Sequence, residues 1–217
     1  MELDSSLSWM ALTLTPGIAA RLSARLLKEF GSPDDVFRAP LRRLEACNIP
    51  APAAQAIVKK DSFKRAERDL TNLRKVAAAR VINWTEPEYP QTLLQIYDPP
   101  VMLYVRGNSQ ILNAPSLSIV GTRKPTLYGS QMAQRLGRDL AVRGIVIVSG
   151  LARGIDAIAH QGALAVGGRA IGVLGTGIDV CYPKENKKLY EKVLENGAIS
   201  KRISDGHASL AGKFSDS

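Results

Sequence analysis

Four cations stand at short loops in one part of this 217-residue chain. Arg123 and Lys124 follow Gly121-Thr122, Arg153 lies in Ser149-Gly150-Leu151-Ala152-Arg153-Gly154, and Lys184 follows Tyr182-Pro183. A further loop, Gly175-Thr176-Gly177, precedes the last of them. Glycine lets a backbone come close to a ligand, and a helix that starts after such a loop offers unpaired N–H groups. Cationic side chains beside those donors suit phosphate. The plain alternative is solvated surface charge, and the clustering weighs against it. Tyr182 has two open readings, a ring that stacks a base or a residue that shapes the turn before Pro183.

Other chemistries are poorly supplied. Gly175-Thr176-Gly177-Ile178-Asp179-Val180 holds two glycines of the dinucleotide fingerprint but has Val180 at the third, and the Walker phosphate loop is absent. Asp156 opens a helix, where a carboxylate favours the dipole, and a capping role fits it better than catalysis. His160 lies one turn later on the same face. No Ser or Cys nucleophile is placed with this pair, so helix packing suits His160 better than acid–base work. Gly154, Gly175 and Gly177, with Asp156 and His160, are therefore read as structural. Cys47 and Cys181 are far apart, and with His160 and His207 they form no metal-ligand spacing. Neither a metal nor a cofactor is expected.

These loops need elements to hold them. Leu117–Val120, Ile145–Val148 and Ala170–Leu174 are short apolar runs, each followed by one of the glycine loops. Helices are expected at Gln131–Arg143, Ile155–Val166 and Asn186–Glu195. Strand, loop and helix in repeated alternation predict an α/β domain with a parallel sheet and right-handed crossovers. Ligands of such sheets bind beyond the carboxyl ends of the strands, where the glycine loops fall. Upstream, Ala19–Phe30, Leu41–Ala46 and Ala51–Val58 read as helices, and Phe63–Val81 as one longer helix. Ser32, after Gly31, is placed to cap the helix that follows. The turn Thr15-Pro16-Gly17 between short helices is similar to a helix-hairpin-helix that would hold a phosphate; a small helical bundle with Gly17 as a cap explains it as well. Residues 83–110 read as a connector containing a short strand at Met102–Val105. The expected organisation is a helical domain over 1–82, the connector over 83–110, a sheet domain over 111–200 and a tail over 201–217.

Composition fits a soluble globular protein, with 45% hydrophobic and 23% charged residues. No stretch is long and apolar enough for a membrane span, and the acidic opening Met1-Glu2-Leu3-Asp4 is unlike a secretory signal, so a cytoplasmic location is expected. The net charge is +9, with +5 in residues 1–80 and +5 in residues 111–200. Two basic blocks attract phosphate polymers by releasing counterions.

The loops also resemble a family. Ile119-Val120-Gly121-Thr122-Arg123, the Val148–Asp156 string, Ala159-His160, Gly175-Thr176-Gly177-Ile178-Asp179 and Tyr182-Pro183-Lys184-Glu185-Asn186 closely resemble the DNA-processing protein A family, DprA/Smf. Tyr89-Pro90 and Asp98-Pro99-Pro100 look like that family's lead-in to its Rossmann-like sheet. The resemblance implies a non-enzymatic protein that binds and protects single-stranded DNA and hands it to the RecA recombinase in natural transformation. It implies a basic pocket above the sheet, gripped at Arg123 and Lys184 and lined by Gly121, Thr122, Ser149, Gly150 and Arg153, with Lys124 beside it. RecA loading and a self-dimer are implied for full-length members only, since those surfaces lie in a half that this chain does not match.

After Ser200 the resemblance stops. The family continues Ser-Glu-Phe-Pro and later Phe-Pro-x-Arg-Asn, where this chain has Lys201-Arg202-Ile203-Ser204 and ends Lys213-Phe214-Ser215-Asp216-Ser217. Codons exist for residues 201–217 that spell both family blocks when read one base later. A one-base slip near Ser200 predicts an out-of-frame tail, an unpaired strand edge and uncovered apolar surface. Gene codons that cannot spell the family blocks would sink this account. Two rivals remain at this point: an enzyme acting on a nucleotide or sugar phosphate in the same cleft, and an inactive frameshifted remnant.

Overall fold

The apolar periodicity of the first eighty residues builds a small helical bundle. In a computed structural model that describes residues 5–203, its helices are α1 (Ser5–Leu14), α2 (Ala20–Phe30), α3 (Pro33–Arg38), α4 (Leu41–Ala46), α5 (Ala51–Lys59) and α6 (Phe63–Leu73). Ser32 caps α3 as expected, accepting from the Asp35 N–H at 3.2 Å. Gly17, with φ +79°, turns the chain between α1 and α2.

The helix expected over Phe63–Val81 is shorter. It ends at Leu73, Ala78 adopts a left-handed φ of +57°, and Ala79–Asn83 forms β1. The reason is tertiary. β-branched Val81 and Ile82 pair across to Tyr104 and Leu103 of β2 (Met102–Gly107), and Ile82 becomes fully buried. The segment read as a connector thus carries a sheet strand, β2, which extends the one expected at Met102–Val105. Tyr89 fastens the loop between β1 and β2 by donating its hydroxyl to the Pro100 carbonyl at 2.6 Å.

The expected alternation follows as β3 (Ser116–Ser118), α7 (Leu127–Val142), β4 (Val146–Ser149), α8 (Ile155–Leu164), β5 (Ala170–Val173), α9 (Lys187–Asn196) and β6 (Gly197–Arg202). The α/β class is as expected, but the six-stranded sheet, ordered β1-β2-β6-β5-β4-β3, is mixed rather than purely parallel. β3 to β6 are parallel, while β6–β2 and β2–β1 are antiparallel. No strand is expected from the sequence after the helix at Asn186–Glu195, and β6 forms there through its pairing with β5 and β2. Its pairing runs through Arg202, so Lys201, Arg202 and the buried Ile203 belong to the fold, although they fall in the segment read as tail. Arg202 pairs with Asp98 at 2.5 Å. Burial pushes the Lys201 ammonium pKa down. Residues 204–217 of that expected tail lie outside the described residues.

Period-two alternation sends β2 side chains to opposite faces. Met102 and Tyr104 join the core shared with the helical bundle, and Leu103 and Val105 join a second core with Ile82 and Ile171. Tyr104 donates its hydroxyl to the sulfur of Met10, and Trp9 meets Trp84 edge-on at 6.4 Å. The bundle therefore packs against the sheet, and Arg21 stacks on Tyr97 at 3.8 Å.

β3 is an edge strand of only three residues, all exposed. Leu117 on β3, Val120 just after it, and Leu127, Leu136 and Val142 on α7 are large exposed apolar side chains. Such an edge invites association. Leu117→Lys is expected to raise the temperature at which light scattering begins on heating; an unmoved onset places the association elsewhere.

Candidate nucleic-acid interface

β4 hands over to α8 through Ser149–Gly154, and this loop is held against the β3–α7 loop by one carboxylate. Asp156, 7% exposed in the first turn of α8, accepts from the Gly121 N–H at 3.3 Å through Oδ1 and from the Gly150 N–H at 3.0 Å through Oδ2. It is more than a helix-end charge. It joins two loops of the sheet's upper edge. The close approach requires Gly150, since a Cβ there would stand 2.8 Å from Asp156 Oδ2. Gly154 is required too. Its φ of +77° and ψ of −129° suit glycine alone, and a Cβ would strike the Thr122 carbonyl oxygen. That carbonyl accepts from the Ile155 N–H at 3.2 Å, a second stitch between the loops.

The loop before α9 is tied in by Asn186. Its side-chain amide donates to the Leu151 and Ala152 carbonyls at 2.9 and 3.4 Å. Pro183, after a cis Tyr182–Pro183 peptide, leads into a short 3₁₀ turn over Lys184–Asn186. Together the loops enclose a cavity of about 260 Å³ beyond the carboxyl ends of β4 and β5. Arg123 and Arg153 line it with backbone at Gly150 and Gly175, and the walls include Leu174 and the half-exposed Tyr182.

Of the expected phosphate residues, Arg123, Gly150 and Arg153 reach the cavity, with Tyr182 and Gly175 beside them. The others sit elsewhere. Gly121 is exposed but does not line the cavity, and its N–H is given to Asp156. Thr122 turns its hydroxyl to its own loop, accepting from the Lys124 N–H at 3.2 Å. Ser149 is a correction: buried, it donates its hydroxyl to the Ile119 carbonyl at 2.6 Å and does not line the cavity. Lys124 and Lys184 are exposed beside the lining residues, on the loops of Arg123 and Pro183, and Gly177 follows the lining Gly175-Thr176. Among the described residues, the side chains of Arg123, Lys124 and Lys184 make no ion pair.

Arg153 is paired. It meets Glu185 at two points, through Nε to Oε1 and through Nη2 to Oε2 at 2.9 Å. The shared hydrogen bond raises the guanidinium pKa and lowers that of the carboxyl. The residue pattern alone assigns no role to Glu185 or Asn186. An acid following Lys184 in a basic loop was the available signal.

His160 is fully buried on α8, and among the described residues neither ring nitrogen meets a partner at good hydrogen-bond geometry. Burial pushes its pKa down from 6.5 to about 4, against the opposing pull of the Ser149 backbone and Asp156. It is neutral at pH 7, as a packing residue would be. Between pH 6.5 and 4 the unfolded chain takes up a proton that the folded chain refuses, so stability falls with pH across that window. Chemical denaturation at pH 7 and pH 5 is expected to differ by about 2 kcal/mol on this account, and His160→Gln should flatten the difference. An unchanged pH dependence in that variant would assign the loss to other groups. Burial raises the Cys181 thiol pKa, which keeps it protonated at neutral pH and unsuited to nucleophilic attack. Among the described residues no cluster of His, Cys, Asp and Glu could hold a metal, and no helix is long and apolar enough to cross a membrane.

The family model for DNA recombination-mediator protein A matches residues 80–216. The chain belongs to that family. It is 41% identical over 133 residues to Protein Smf of Synechocystis sp., covering 59% of this chain and 33% of that one. It is 40% identical over 126 residues to the DNA processing protein DprA of Streptococcus pneumoniae, covering 58% and 44%. The chain thus spans about a third to under a half of the length of these curated relatives. The X-ray structure of DprA from Streptococcus pneumoniae superimposes with a TM-score of 0.74 at 27% identity, over 95% of this chain and 70% of that one. The helical bundle is therefore shared as well as the sheet. DNA processing protein A from Helicobacter pylori, described with a single-stranded DNA binding mode, matches with a TM-score of 0.53 at 32% identity, over 62% and 59%. Family membership agrees with the resemblance read in the glycine loops.

Proposed function

We propose that this chain binds single-stranded DNA through its phosphates, in the cavity at the carboxyl ends of β4 and β5, and shields the bound strand without chemical turnover. One observation carries the reading: two guanidiniums converge with glycine backbone on one cavity, and an exposed tyrosine forms part of its wall. Guanidinium forks and close backbone suit phosphodiester oxygens, and an aromatic face accepts any base. Arg123, Arg153, Lys124 and Lys184 serve the phosphates, the backbone at Gly150 and Gly175 permits close approach, and Tyr182 stacks a base. The Helicobacter pylori relative adds support, being described as binding single-stranded DNA. In this reading the strand is held for a recombinase, and loading of RecA is the finer step that the family suggests.

Anisotropy of a labelled oligo-dT across 50–200 mM salt tests it. Log affinity is expected to fall linearly with log salt, by about 0.7 per phosphate engaged. Binding indifferent to salt, or tight binding and hydrolysis of a mononucleotide, would replace this reading with that of a nucleotide enzyme.

A further inference from the structure

Of the two guanidiniums at the cavity, one is open and the other is already occupied. Arg123 makes no ion pair among the described residues, whereas Arg153 gives its Nε–Nη2 edge, the edge that closes bidentately on two oxygens, to Glu185. A carboxylate and a phosphodiester each present two oxygens to such a fork, so Glu185 stands where a phosphate would bind. Its backbone is fixed, because the 3₁₀ turn that carries it is tied to the β4–α8 loop by Asn186. Its side chain is free to leave. Both partners are more than half exposed, at 58% and 54%, and exposed pairs of this kind are weak.

Resting on the DNA reading above, we propose that Glu185 is an internal competitor that holds the Arg153 fork until a backbone phosphate displaces it. The exchange needs only a side-chain rotation. A polymer that has already placed one phosphate at Arg123 supplies the next at high effective concentration. A lone phosphate or mononucleotide has no such advantage, and it meets the carboxylate's repulsion at Arg153. Glu185 thereby favours strands over small phosphates in a cavity whose cations would attract both.

The test compares wild type with Glu185→Gln on labelled oligo-dT and on dTMP. The amide keeps the shape and removes the charge. Oligo-dT is expected to bind about 3- to 10-fold tighter, the scale of one nearby exposed charge. Its salt dependence should steepen, since no freed carboxylate takes up a cation. The gain for dTMP should be proportionally larger, which narrows the preference for the strand. In an Arg153→Ala background the same substitution should give no gain. Equal or weaker oligo-dT binding by Glu185→Gln would make Glu185 a positioning residue for Arg153 and overturn the proposal. A gain that persists without Arg153 would also overturn it, as a general charge effect. Wild type that fails to bind oligo-dT defeats the DNA reading together with this one, whereas wild-type binding with no gain in the variant defeats this one alone.

Discussion

Arg123→Ala combined with Lys184→Ala is expected to weaken oligo-dT binding about 100-fold at moderate salt. Each cation would make a charge-assisted hydrogen bond to phosphate, which contributes about 1.5 kcal/mol at the lower end of the range suited to exposed groups. Two such losses total about 3 kcal/mol, or roughly two decades in dissociation constant. The salt slope should shrink with them, by about 0.7 for each phosphate no longer engaged. Fold stability should stay level, because neither side chain makes an ion pair among the described residues. Loss of binding with an unchanged melting temperature therefore isolates the contact. A double variant that binds like wild type removes the proposed cradle.

Asp156→Ala should act in the opposite way, through the fold. Its carboxylate, itself 7% exposed, accepts from two backbone N–H groups, those of the exposed Gly121 and the half-buried Gly150. Alanine leaves both donors unpaired. Removing one partner of a part-buried hydrogen bond exposes the desolvation cost of the other, here about 3 kcal/mol for the pair. For a domain of this size that lowers the melting temperature by roughly 6–12 °C. Asp156→Asn keeps one acceptor oxygen and should lose about half as much. A merely dipolar role predicts under about 1 kcal/mol for either variant. Oligo-dT affinity should fall with Asp156→Ala too, because the two loops that carry Arg123 and Arg153 lose their common anchor.

The same residue shows how far sequence reasoning reaches. The start of a helix at Ile155-Asp156 was legible, since Gly154 ends the glycine loop and helical spacing begins. That Asp156 reaches across to Gly121 was not, because 35 residues separate them and their meeting depends on the β3–β4 crossover. Ser149 illustrates a different miss. A serine in a glycine loop looks like a ligand donor, yet alternation along β4 turns it inward to the Ile119 carbonyl. At the other end of the sheet, Arg80-Val81-Ile82 carried a strand signal that a run of Lys, Arg and Ala extended into a helix. Pairing with β2 resolved it, and such pairing is invisible to a local window.

By itself, the order of residues determined the α/β alternation, the three glycine loops, their positive charge and the helical character of the first third of the chain. These follow from periodicity and from glycine at strand ends, which act over a few neighbouring residues. Tertiary structure alone decided that the sheet is mixed, that β6 lies between β2 and β5, that Asp156 ties Gly121 to Gly150, and that Glu185 occupies the Nε–Nη2 edge of Arg153. Those outcomes depend on contacts between residues about thirty or more positions apart. Chain crossovers and the packing of two cores select such contacts, and no short stretch of sequence encodes them.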